Sequence, residues 1–557
     1  MRKSSVWLAV TGLTLGSLAA VPMWEDPEKT SENRLPARAF LPPEGFVKSL
    51  NGTWRFWWCG SPDQTPDGFW KTDFKTAGWF EIDVPSCAET RGWGVPHYTN
   101  IRYPHAMTPP VIDPSYNPTL CYRTSFVVPE TWSGRRVVLR FEGVASSCEV
   151  WVNGKWTGYS EDSRLPAEFD VTDLVSAPGA ETLLAVRVRK WCDGSYLEDQ
   201  DMIRYAGIFR DVKLMAEQKD GIRDFCFTTV PDAAYRTWTL NVTVDSAAPA
   251  SAALYDARGT KVADIPLTNG KGSAVLPQAR TWSPEDPYLS TLEMKAGADV
   301  RRTRVGVREC KVADGTILFN GRPIKFFGVN RHEMNPENGY TVSVAEMERD
   351  VRMMRRANFN CVRTSHYPCD PRFYALCDEY GLLVCAEANF ESHGIGYKED
   401  ALPTRPEWHH AIVERNVRNV LYYRNHASVV MWSVGNETGW GEGHTKAYRA
   451  VKALDPVRPF HALGWKNVKG EPSGYEYSAS DVTSGMYPSV DWIRDQAKEA
   501  KPHWLCEYGC AMGNGLGNLK QISSPRADHI FVNCRVAVIV ATASAISYGS
   551  KQGQRVN

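Results

Sequence analysis

The stretch VVMWSVGNETGWGEGH, residues 429–444, begins with an apolar run and becomes polar and glycine-rich within a few positions. An apolar run of this length, bounded by turn residues, is typical of a parallel strand buried on both faces. Asn436 and Glu437 follow the run directly, so a carboxylate stands at the tip of a buried strand. In barrels of parallel strands, residues at the C-terminal strand ends line the active site. The stretch therefore predicts an α/β fold, with a candidate active site at the C-terminal end of this strand.

Apolar runs of the same kind alternate with helical patterns on both sides of this stretch. The preceding strands are predicted in IKFFGVNRHE, FNCVRTSHYP and LLVCAEANFESHG, and the helices that follow them in residues 344–357, PRFYALCDEYG and residues 407–423. The helix GHTKAYRAVKALD comes next, and then the strands FHALG and SDVTSGMY, the helix VDWIRDQAKEAK and the strand HWLCEYG. These seven alternations predict parallel strands, and a (β/α)8 TIM barrel is the architecture that fits best.

The first half of the chain has a different pattern. Between about residues 54 and 214, short runs such as RRVVLRFEGV and ETLLAVRVRKW alternate apolar with polar residues, which predicts an antiparallel β-sandwich. A smaller set of such runs, from about residue 221 to 307, fits an immunoglobulin-like sandwich. The predicted domains are a jelly-roll-like β-sandwich over residues 22–217, an immunoglobulin-like β-sandwich over residues 218–310 and a TIM-barrel domain over residues 311–557.

Composition and charge exclude several classes of function. The 557 residues carry 64 basic and 64 acidic side chains, so nucleic acid is not an expected partner.

The N-terminus, MRKSSVWLAVTGLTLGSLAAVP, combines a basic start, a short apolar stretch and a small-residue end, which is typical of a secretory signal peptide over residues 1–21. No other segment approaches the length of a membrane span. The mature protein is expected to be exported, to the periplasm or the cell exterior, without a membrane span.

Polar residues follow the apolar part of nearly every predicted strand of the barrel. The C-terminal strand ends of a barrel share one rim, so these side chains would converge on one mouth. A capped or salt-bridged loop end explains any one of them, but the whole set indicates an active site. The residues at these ends are Asn330, Arg331, His332, Arg363, His366, residues 387–393, Asn436, Glu437, Tyr487 and Glu507.

Two of these residues, Glu437 and Glu507, are carboxylates that each end an apolar strand. Two carboxyl groups that face one sugar can hydrolyse a glycosidic bond. A separation of about 5–5.5 Å would let one attack while the other donates a proton, with retention of configuration. A gap of about 6.5–9.5 Å would admit a water molecule and give inversion. The sequence leaves that choice open, and an ion pair would explain either glutamate taken alone.

The motif ESHG places Glu391 and His393 two positions apart beyond a strand, where both can reach one cation. A carboxylate with an imidazole is by itself a weak metal signal. The chain has no HExxH motif and no Cys/His cluster for zinc. The segment GNETGWGEG lacks the Lys-Ser/Thr ending of a phosphate-binding loop, so nucleotide binding is not expected.

Several long motifs resemble one family. They are GVNRHEMNP, NFNCVRTSHYP, CDEYGLLVCAEANFESHG, YRNHASVVMWSVGNE and LCEYGCAMGNGLGN, with YTNIRYP, GYSEDSRLPAEFD and DGSYLEDQDMIRYAGIFRDV in the first sandwich. Together they closely resemble glycoside hydrolase family 2 and, within it, the long-chain β-galactosidases. The resemblance covers about residues 24–519. It implies a retaining, exo-acting hydrolase that removes terminal β-D-galactosyl residues from oligosaccharides or glycans through a covalent glycosyl-enzyme intermediate.

The resemblance also implies roles for individual residues. Glu437 resembles the family's acid/base, and Glu507 resembles its nucleophile. The implied metal ligands are Glu391, His393 and Glu437 for Mg2+ and Asp201 for Na+. The other implied site residues are the stabilising histidines His332 and His366, the tyrosine near the nucleophile, Tyr487, its orienting partner Arg363, and the sugar contacts Asn100, Asp201 and Asn436.

The sequence departs from the family's pattern near its C-terminus. Cys510 stands where a substrate-contacting histidine is usual, which leaves the choice of sugar open. After GNGLGNL the family continues with a Trp-rich eighth strand and further domains, whereas this chain reads KQISSPRADHIFVNCRVAVIVATASAISYGSKQGQRVN. Residues 536–546 are apolar enough for a strand but do not match the family's sequence. The barrel is therefore expected to be incomplete, truncated after about residue 519.

Two alternatives to a β-galactosidase follow from these departures. One is another β-glycosidase of the family, such as a β-glucuronidase or a β-mannosidase. The other is a catalytically inactive remnant that still binds carbohydrate, because an open barrel leaves strand edges unpaired. A carbohydrate is the expected partner in each case, and the resemblance leaves the question of a homo-oligomer open.

Overall fold

The computed structural model describes residues 21–39, 41–397, 399–463, 479–487 and 500–507, and the backbone of residues 536–540. The predicted signal peptide up to residue 20, most of the helix predicted in VDWIRDQAKEAK, and Cys510 lie outside these ranges. Within the described part of the chain, no helix is both long and apolar enough to cross a membrane.

The N-terminal region is an antiparallel β-sandwich, as predicted. Its two main sheets follow the orders β1-β10-β9-β12-β6-β3-β4 and β11-β7-β15-β2, and two short pairs, β13-β5 and β14-β8, extend from it. Alternate strand residues such as Leu139, Val150, Val186 and Leu214 are fully buried between the sheets. The strands are β1 (Ser31–Glu32), β2 (Val47–Ser49), β3 (Gly52–Cys59), β4 (Phe80–Val84), β5 (His97–Thr99), β6 (Thr119–Val127), β7 (Arg136–Phe141), β8 (Val144–Ala145), β9 (Ser147–Val152), β10 (Lys155–Glu161), β11 (Ala167–Asp170), β12 (Glu181–Arg189), β13 (Met202–Arg204), β14 (Gly207–Ile208) and β15 (Val212–Glu217).

A second, smaller sandwich follows in the chain. Its sheets have the orders β16-β17-β20 and β19-β18-β21-β22, and they enclose a core that includes Trp238, Leu254 and Leu292. This arrangement confirms the prediction of a second β-sandwich. The strands are β16 (Ile222–Pro231), β17 (Thr237–Ser246), β18 (Ala250–Tyr255), β19 (Lys261–Pro266), β20 (Lys271–Pro277), β21 (Ser290–Ala296) and β22 (Asp299–Val305).

The rest of the chain forms the parallel strands and helices of a TIM barrel, preceded by the small antiparallel sheet β23-β24-β25. The barrel strands lie in the order β30-β29-β28-β27-β26-β33-β32-β31, and neighbouring strands in this order are parallel. The strands are β23 (Cys310–Ala313), β24 (Thr316–Phe319), β25 (Arg322–Pro323), β26 (Phe327–Asn330), β27 (Cys361–Arg363), β28 (Leu383–Glu387), β29 (Val429–Ser433), β30 (Phe460–His461), β31 (Thr483–Met486), β32 (His503–Glu507) and β33 (Val536–Val540). The helices are α1 (Val344–Arg356), α2 (Pro371–Tyr380), α3 (His409–Tyr423) and α4 (Glu442–Leu454).

The structure differs from the sequence prediction at the eighth strand. The C-terminal segment was not expected to restore the barrel, yet β33 lies between β26 and β32 and pairs with both. The prediction of an incomplete barrel is nevertheless confirmed, because β30 and β31 form no ladder with each other in the described residues. One backbone hydrogen bond joins the two sides of this gap between β30 and β31, from the Asp481 amide to the Phe460 carbonyl at 2.8 Å.

The helices begin where the sequence supplies caps. The Ser343 side chain accepts a hydrogen bond from the Glu346 amide, and the Glu346 carboxylate accepts one from the Ser343 amide, which together form a capping box at the start of α1. Asp370 caps α2, which starts at Pro371 and ends at Gly381 in the left-handed conformation. These local signals explain why the helix prediction agrees closely with the structure here.

Candidate active site

The nucleophile predicted from the sequence, Glu507, is the last residue of β32 and is held by three other side chains. Arg363 Nη1 donates a hydrogen bond to Glu507 Oε1 at 3.2 Å. The Tyr487 hydroxyl donates to Glu507 Oε2 at 2.5 Å. His366 Nε2 lies 3.7 Å from Glu507 Oε1. These contacts fix the position of the Glu507 carboxylate at the mouth, as an attack on a sugar carbon requires.

Arg363, at the end of β27, joins three neighbouring parts of the rim. Besides contacting Glu507, its Nε donates to Glu387 Oε2 at 2.6 Å, and its Nη2 donates to Asn436 Oδ1 at 3.0 Å. The Arg363 side chain is completely buried. A buried guanidinium that is paired on all sides has little freedom to move, so it fixes Glu507 relative to the end of β29.

Glu387 is a fully buried carboxylate beside the nucleophile. Burial by itself would raise its pKa, but Arg363, His366 and the Ser433 hydroxyl outweigh that effect and lower the pKa to about 2. His366 Nδ1 lies 2.8 Å from Glu387 Oε1. Glu387 therefore remains charged near neutral pH and holds both Arg363 and His366 in place.

Glu437 lies just beyond β29, next to side chains from the loop after β28. His393 Nδ1 is 2.8 Å from Glu437 Oε2, and the Tyr397 hydroxyl donates to Glu437 Oε1 at 3.1 Å. Burial would raise the pKa of Glu437, but His393, His366 and Tyr397 outweigh it, so the pKa lies below its ordinary value. His366 is thus close to both predicted catalytic carboxylates, and the two converge on one mouth.

Glu391, His393 and Glu437 also form a group with the chemistry of a cation site. Each offers a ligand atom, and these atoms lie within 4.8 Å of one another. Burial and the adjacent Glu437 raise the pKa of the fully buried Glu391 well above its ordinary value. Glu391 Oε1 is buried and has no hydrogen-bond partner among the described residues, whereas His393 Nδ1 faces Glu437. Two close carboxylates and an imidazole, one of them with an unpartnered oxygen, fit a divalent cation.

The two predicted histidines lie side by side at the rim. The rings of His332 and His366 are 5.3 Å apart and nearly perpendicular. His332 Nδ1 lies 3.3 Å from the Tyr367 hydroxyl. Burial, with His366, Arg164 and Arg363 nearby, lowers the pKa of His332 well below its ordinary value, so its ring is neutral. A neutral imidazole can both donate to and accept from sugar hydroxyls.

The first sandwich reaches this mouth through the pair β5 and β13. Thr99 lies opposite Met202 in that pair, so the next residues outward, Asn100 and Asp201, are neighbours beside the barrel. Asp201 is half-buried, and its charge contributes to raising the pKa of His393. Asn100 is exposed. The charge of Asp201 thus acts on His393, and Asn100 is the neighbour of Asp201 beyond the strand pair.

Backbone contacts fix the sandwich against the barrel at this point. The Glu391 amide donates to the Leu197 carbonyl at 2.9 Å, and the Asp199 amide donates to the Glu391 carbonyl at 3.1 Å. The Gly394 amide donates to Asp199 Oδ2 at 2.7 Å. Burial raises the pKa of Asp199 to about 6. These bonds lock the loop that carries Glu391 and His393.

Sequence reasoning placed one rim residue wrongly and left others without a role. Arg331 was expected at the mouth, but its Nε donates to Asp350 of α1 at 3.0 Å, and its guanidinium lies over the Phe373 ring, so it packs against the helices. No sequence pattern identifies Tyr397 as a site residue, because its contact with Glu437 depends on how its loop folds. Glu387 was included in the predicted rim, but its contacts with Arg363 and His366 depend on neighbouring strands.

Comparison with known proteins agrees with this architecture. Residues 47–218 match the sugar binding domain of glycosyl hydrolases family 2, and residues 310–532 match the TIM barrel domain of the same family. The chain is 39% identical over 521 residues to a protein named beta-galactosidase from Vibrio vulnificus (strain CMCP6), covering 85% of this chain and 48% of that protein. It is 38% identical over 585 residues to "Beta-galactosidase 2" of Enterobacter cloacae, covering 93% of this chain and 55% of that protein. The chain belongs to glycoside hydrolase family 2.

Solved structures share the fold at lower sequence identity. The beta-glucuronidase of Ruminococcus gnavus superposes with a TM-score of 0.74 at 20% identity, covering 91% of this chain and 93% of that one. A beta-glucuronidase from an uncultured Clostridium superposes with a TM-score of 0.71 at 22% identity, covering 91% of this chain and 92% of that one. The chain spans about half the length of the curated relatives it matches.

Proposed function

We propose that this chain carries the catalytic site of a retaining β-galactosidase that acts on terminal β-D-galactosyl residues of oligosaccharides or glycans. The observation that carries the proposal is the setting of Glu507, which accepts hydrogen bonds from Arg363 and Tyr487 and has His366 Nε2 3.7 Å from its Oε1. Glu437 converges on the same mouth, beside His366. A carboxylate positioned to attack the sugar and a second carboxyl group near it are what a double displacement requires.

In the first displacement, a Glu507 oxygen attacks the anomeric carbon of the galactosyl residue. The bond from that carbon to the departing oxygen breaks, and Glu437 gives its proton to that oxygen. A sugar seated at the mouth also covers the part-exposed Glu437, and this desolvation raises the pKa of Glu437 towards the protonated form that an acid needs. The products are a glycosyl ester on Glu507 and the free aglycone.

In the second displacement, Glu437 acts as the base. It takes a proton from water while the water oxygen attacks the anomeric carbon, and the bond to Glu507 breaks. The sugar leaves with its original configuration, and both carboxyl groups return to their starting states. Tyr487 and Arg363 restore the hydrogen bonds that stabilise the ionised Glu507.

We also propose a Mg2+ ion held by Glu391, His393 and Glu437, and a Na+ ion near Asp201. The unpartnered Glu391 Oε1 and the close grouping of the three ligand atoms support the first. The half-buried Asp201, whose Oδ1 has no hydrogen-bond partner among the described residues, supports the second. When bound, a divalent cation would offset the negative charge of two close carboxylates and adjust the pKa of Glu437. Asn436 Nδ2 donates to Glu391 Oε2 at 3.0 Å and so orients that ligand.

Specificity for galactose is supported by the names of the sequence relatives and by the position of Asn100 and Asp201 beside the mouth. Direct side-chain contacts of this kind select among sugars that differ at one hydroxyl. The structural neighbours are beta-glucuronidases at low identity, so glucuronide is the natural competing substrate in a test.

The test is hydrolysis of chromogenic β-galactoside, β-glucuronide and β-mannoside by the full chain, with and without Mg2+. We expect turnover of the β-galactoside that disappears in Glu507→Gln. Faster hydrolysis of the β-glucuronide or the β-mannoside would show that the proposed specificity for galactose is wrong. A folded protein that binds galactose but hydrolyses none of the three would overturn the proposal in favour of a carbohydrate-binding role.

A further inference from the structure

The strands β30 and β31 are the two ends of the barrel sheet, and a buried histidine spans the gap between them. His461 is the last residue of β30 and is fully buried. Its Nε2 lies 2.7 Å from the Ser484 hydroxyl oxygen of β31. Since no ladder joins these strands in the described part of the chain, this side-chain contact supplies a connection that backbone pairing does not.

The other ring nitrogen of His461 leads toward the nucleophile. His461 Nδ1 lies 2.8 Å from the Ser433 hydroxyl oxygen at the end of β29. The Ser433 hydroxyl in turn donates to Glu387 Oε2 at 2.6 Å. Glu387 holds Arg363 and His366, and both of these contact Glu507. A continuous series of hydrogen bonds therefore runs from Ser484 to the nucleophile.

The direction of these bonds follows from the protons available. An ionised carboxylate only accepts hydrogen bonds, so the single Ser433 proton goes to Glu387. The Ser433 oxygen must then accept from His461, which places the ring proton on Nδ1. Burial lowers the pKa of His461 to about 3, so the ring carries one proton only. Nε2 is therefore an acceptor, and the Ser484 hydroxyl donates to it.

We propose that His461 is a positioning residue: through Ser433 it fixes the orientation of Glu387, and through Glu387 that of Arg363 and His366 against Glu507. The inference rests on the proposed function. Within the described residues the ring of His461 bonds to Ser433 and Ser484 and has no direct contact with Glu507, so its effect is transmitted by the alignment of buried donors. If the imidazole is removed, the Ser433 oxygen no longer accepts a hydrogen bond from His461 Nδ1, and the orientation of its hydroxyl is no longer fixed. The contact with Ser484, which joins β30 to β31, is lost as well.

The ring tautomer of His461 tests the direction of the series without any need for turnover. The full chain is labelled with [15N]histidine, and long-range 1H–15N spectra are recorded between pH 5 and 8. The signal missing from His461→Gln identifies His461. We expect a neutral ring protonated on Nδ1 throughout this range. A neutral ring protonated on Nε2 would overturn the proposal, because Nδ1 would then accept the Ser433 proton and Ser433 could not donate to Glu387. A charged ring would overturn the assignment of Nε2 as the acceptor of the Ser484 proton.

Kinetics test whether the series positions the nucleophile. His461→Leu removes both hydrogen bonds and is expected to lower kcat about tenfold to hundredfold, with KM changed less than about threefold. His461→Gln keeps an amide donor and acceptor and is expected to restore kcat to within about fivefold of the unaltered chain. The control is His410→Leu, a change at an exposed histidine of α3.

The outcomes separate this inference from the proposed function. An unaltered chain that hydrolyses none of the three glycosides defeats the proposed function, while the tautomer still decides the direction of the hydrogen bonds. An active chain whose His461→Leu variant keeps its kcat overturns the positioning role. Equal losses of kcat in the Leu and Gln variants, in step with their thermal unfolding, would assign His461 a structural role only.

Discussion

At the residue scale, the candidate site depends on one buried cation shared among three acceptors. Arg363 contacts Glu387, Glu507 and Asn436, which end or follow three different strands. The sequence predicted that these side chains would meet, because all of them stand at C-terminal strand ends. It did not predict that Glu387 would be the partner that holds Arg363, since this depends on the register of neighbouring strands rather than on any motif.

Tyr487→Phe removes one hydroxyl from the nucleophile's surroundings. The lost hydrogen bond to Glu507 Oε2 joins a neutral donor to a charged acceptor and contributes about 1.5–3 kcal/mol, so kcat should fall about tenfold to hundredfold. The Tyr487 side chain is 54% exposed, so stability should change little. Steady-state kinetics on β-galactoside measure the effect, with Tyr116→Phe at another exposed tyrosine as the control. Unchanged kcat would show that the hydroxyl does not support Glu507 during the reaction.

His393→Ala tests the predicted cation ligands. It removes one of three ligand atoms that lie close together, so the affinity for Mg2+ should fall by about tenfold or more. Isothermal titration of the full chain with Mg2+ measures this directly, whether or not the chain turns over substrate. Equal Mg2+ affinity in the variant and the unaltered chain would place any cation elsewhere.

At the scale of single elements, the strand-to-loop junctions set the position of the catalytic groups. Gly435, between β29 and Asn436, has a φ of +150°, and a Cβ there would lie 2.2 Å from the Phe390 carbonyl oxygen. A glycine is therefore required for the chain to turn closely past the neighbouring loop. This explains why the sequence SVGNE ends its apolar run so abruptly, which was the first signal in the sequence.

Gly435→Ala should displace Asn436 and Glu437 and lower kcat/KM by more than about hundredfold, because small displacements of catalytic groups are costly. Steady-state kinetics and circular dichroism together distinguish displacement from unfolding. Gly259→Ala is the matched control, since Gly259 also has a positive φ, of +83°, but has open space around it in the second sandwich. If both variants retain activity equally, the close approach at Phe390 does not position Glu437.

Most elements could be predicted from local patterns, and the exceptions have physical reasons. The helices α1 and α2 carry their own caps, so their limits follow from the sequence. The segment of β33 was apolar enough to predict a strand, but its place between β26 and β32 was not expected, because it does not resemble the family's eighth strand. Parallel pairing uses only backbone groups, and an apolar, β-branched segment can satisfy two strand edges without any specific motif.

At the scale of the whole molecule, two buried arginines of the first sandwich contact the barrel, one over an aromatic ring and one through an ion pair. Arg140 of β7 donates to Glu142 at 2.8 Å and to Glu168 of β11 at 2.9 Å, and its guanidinium lies 5.6 Å from the Tyr422 ring of α3. Arg210, just before β15, donates to Glu333 after β26 at 2.6 Å. Composition predicted neither contact, because a balanced net charge says nothing about which pairs are buried.

These ion pairs predict loss of stability in acid. Burial would raise the pKa of Glu142, but Arg140 and Lys213 outweigh it and lower the pKa to about 2, below the ordinary 4.5. Glu142 therefore stabilises the fold fully above pH 4.5, and this contribution, on the order of 3 kcal/mol, is lost as the pH falls towards 2. Thermal unfolding between pH 7 and 3 should show a fall below pH 4.5 that is shallower in Glu142→Gln. Identical pH profiles for the two proteins would contradict this role.

The central claim is that Glu507 forms a covalent bond to the sugar while Glu437 assists from the same mouth. Its most direct test is incubation of the full chain with an activated 2-deoxy-2-fluoro-β-galactoside, followed by peptide mass spectrometry. In such a substrate the second displacement is slow, so the glycosyl ester accumulates. We predict one added fluorogalactosyl group, located on Glu507 and absent in Glu507→Gln. Release of the activated leaving group with no label on the protein, or a label on another residue, would contradict the claim.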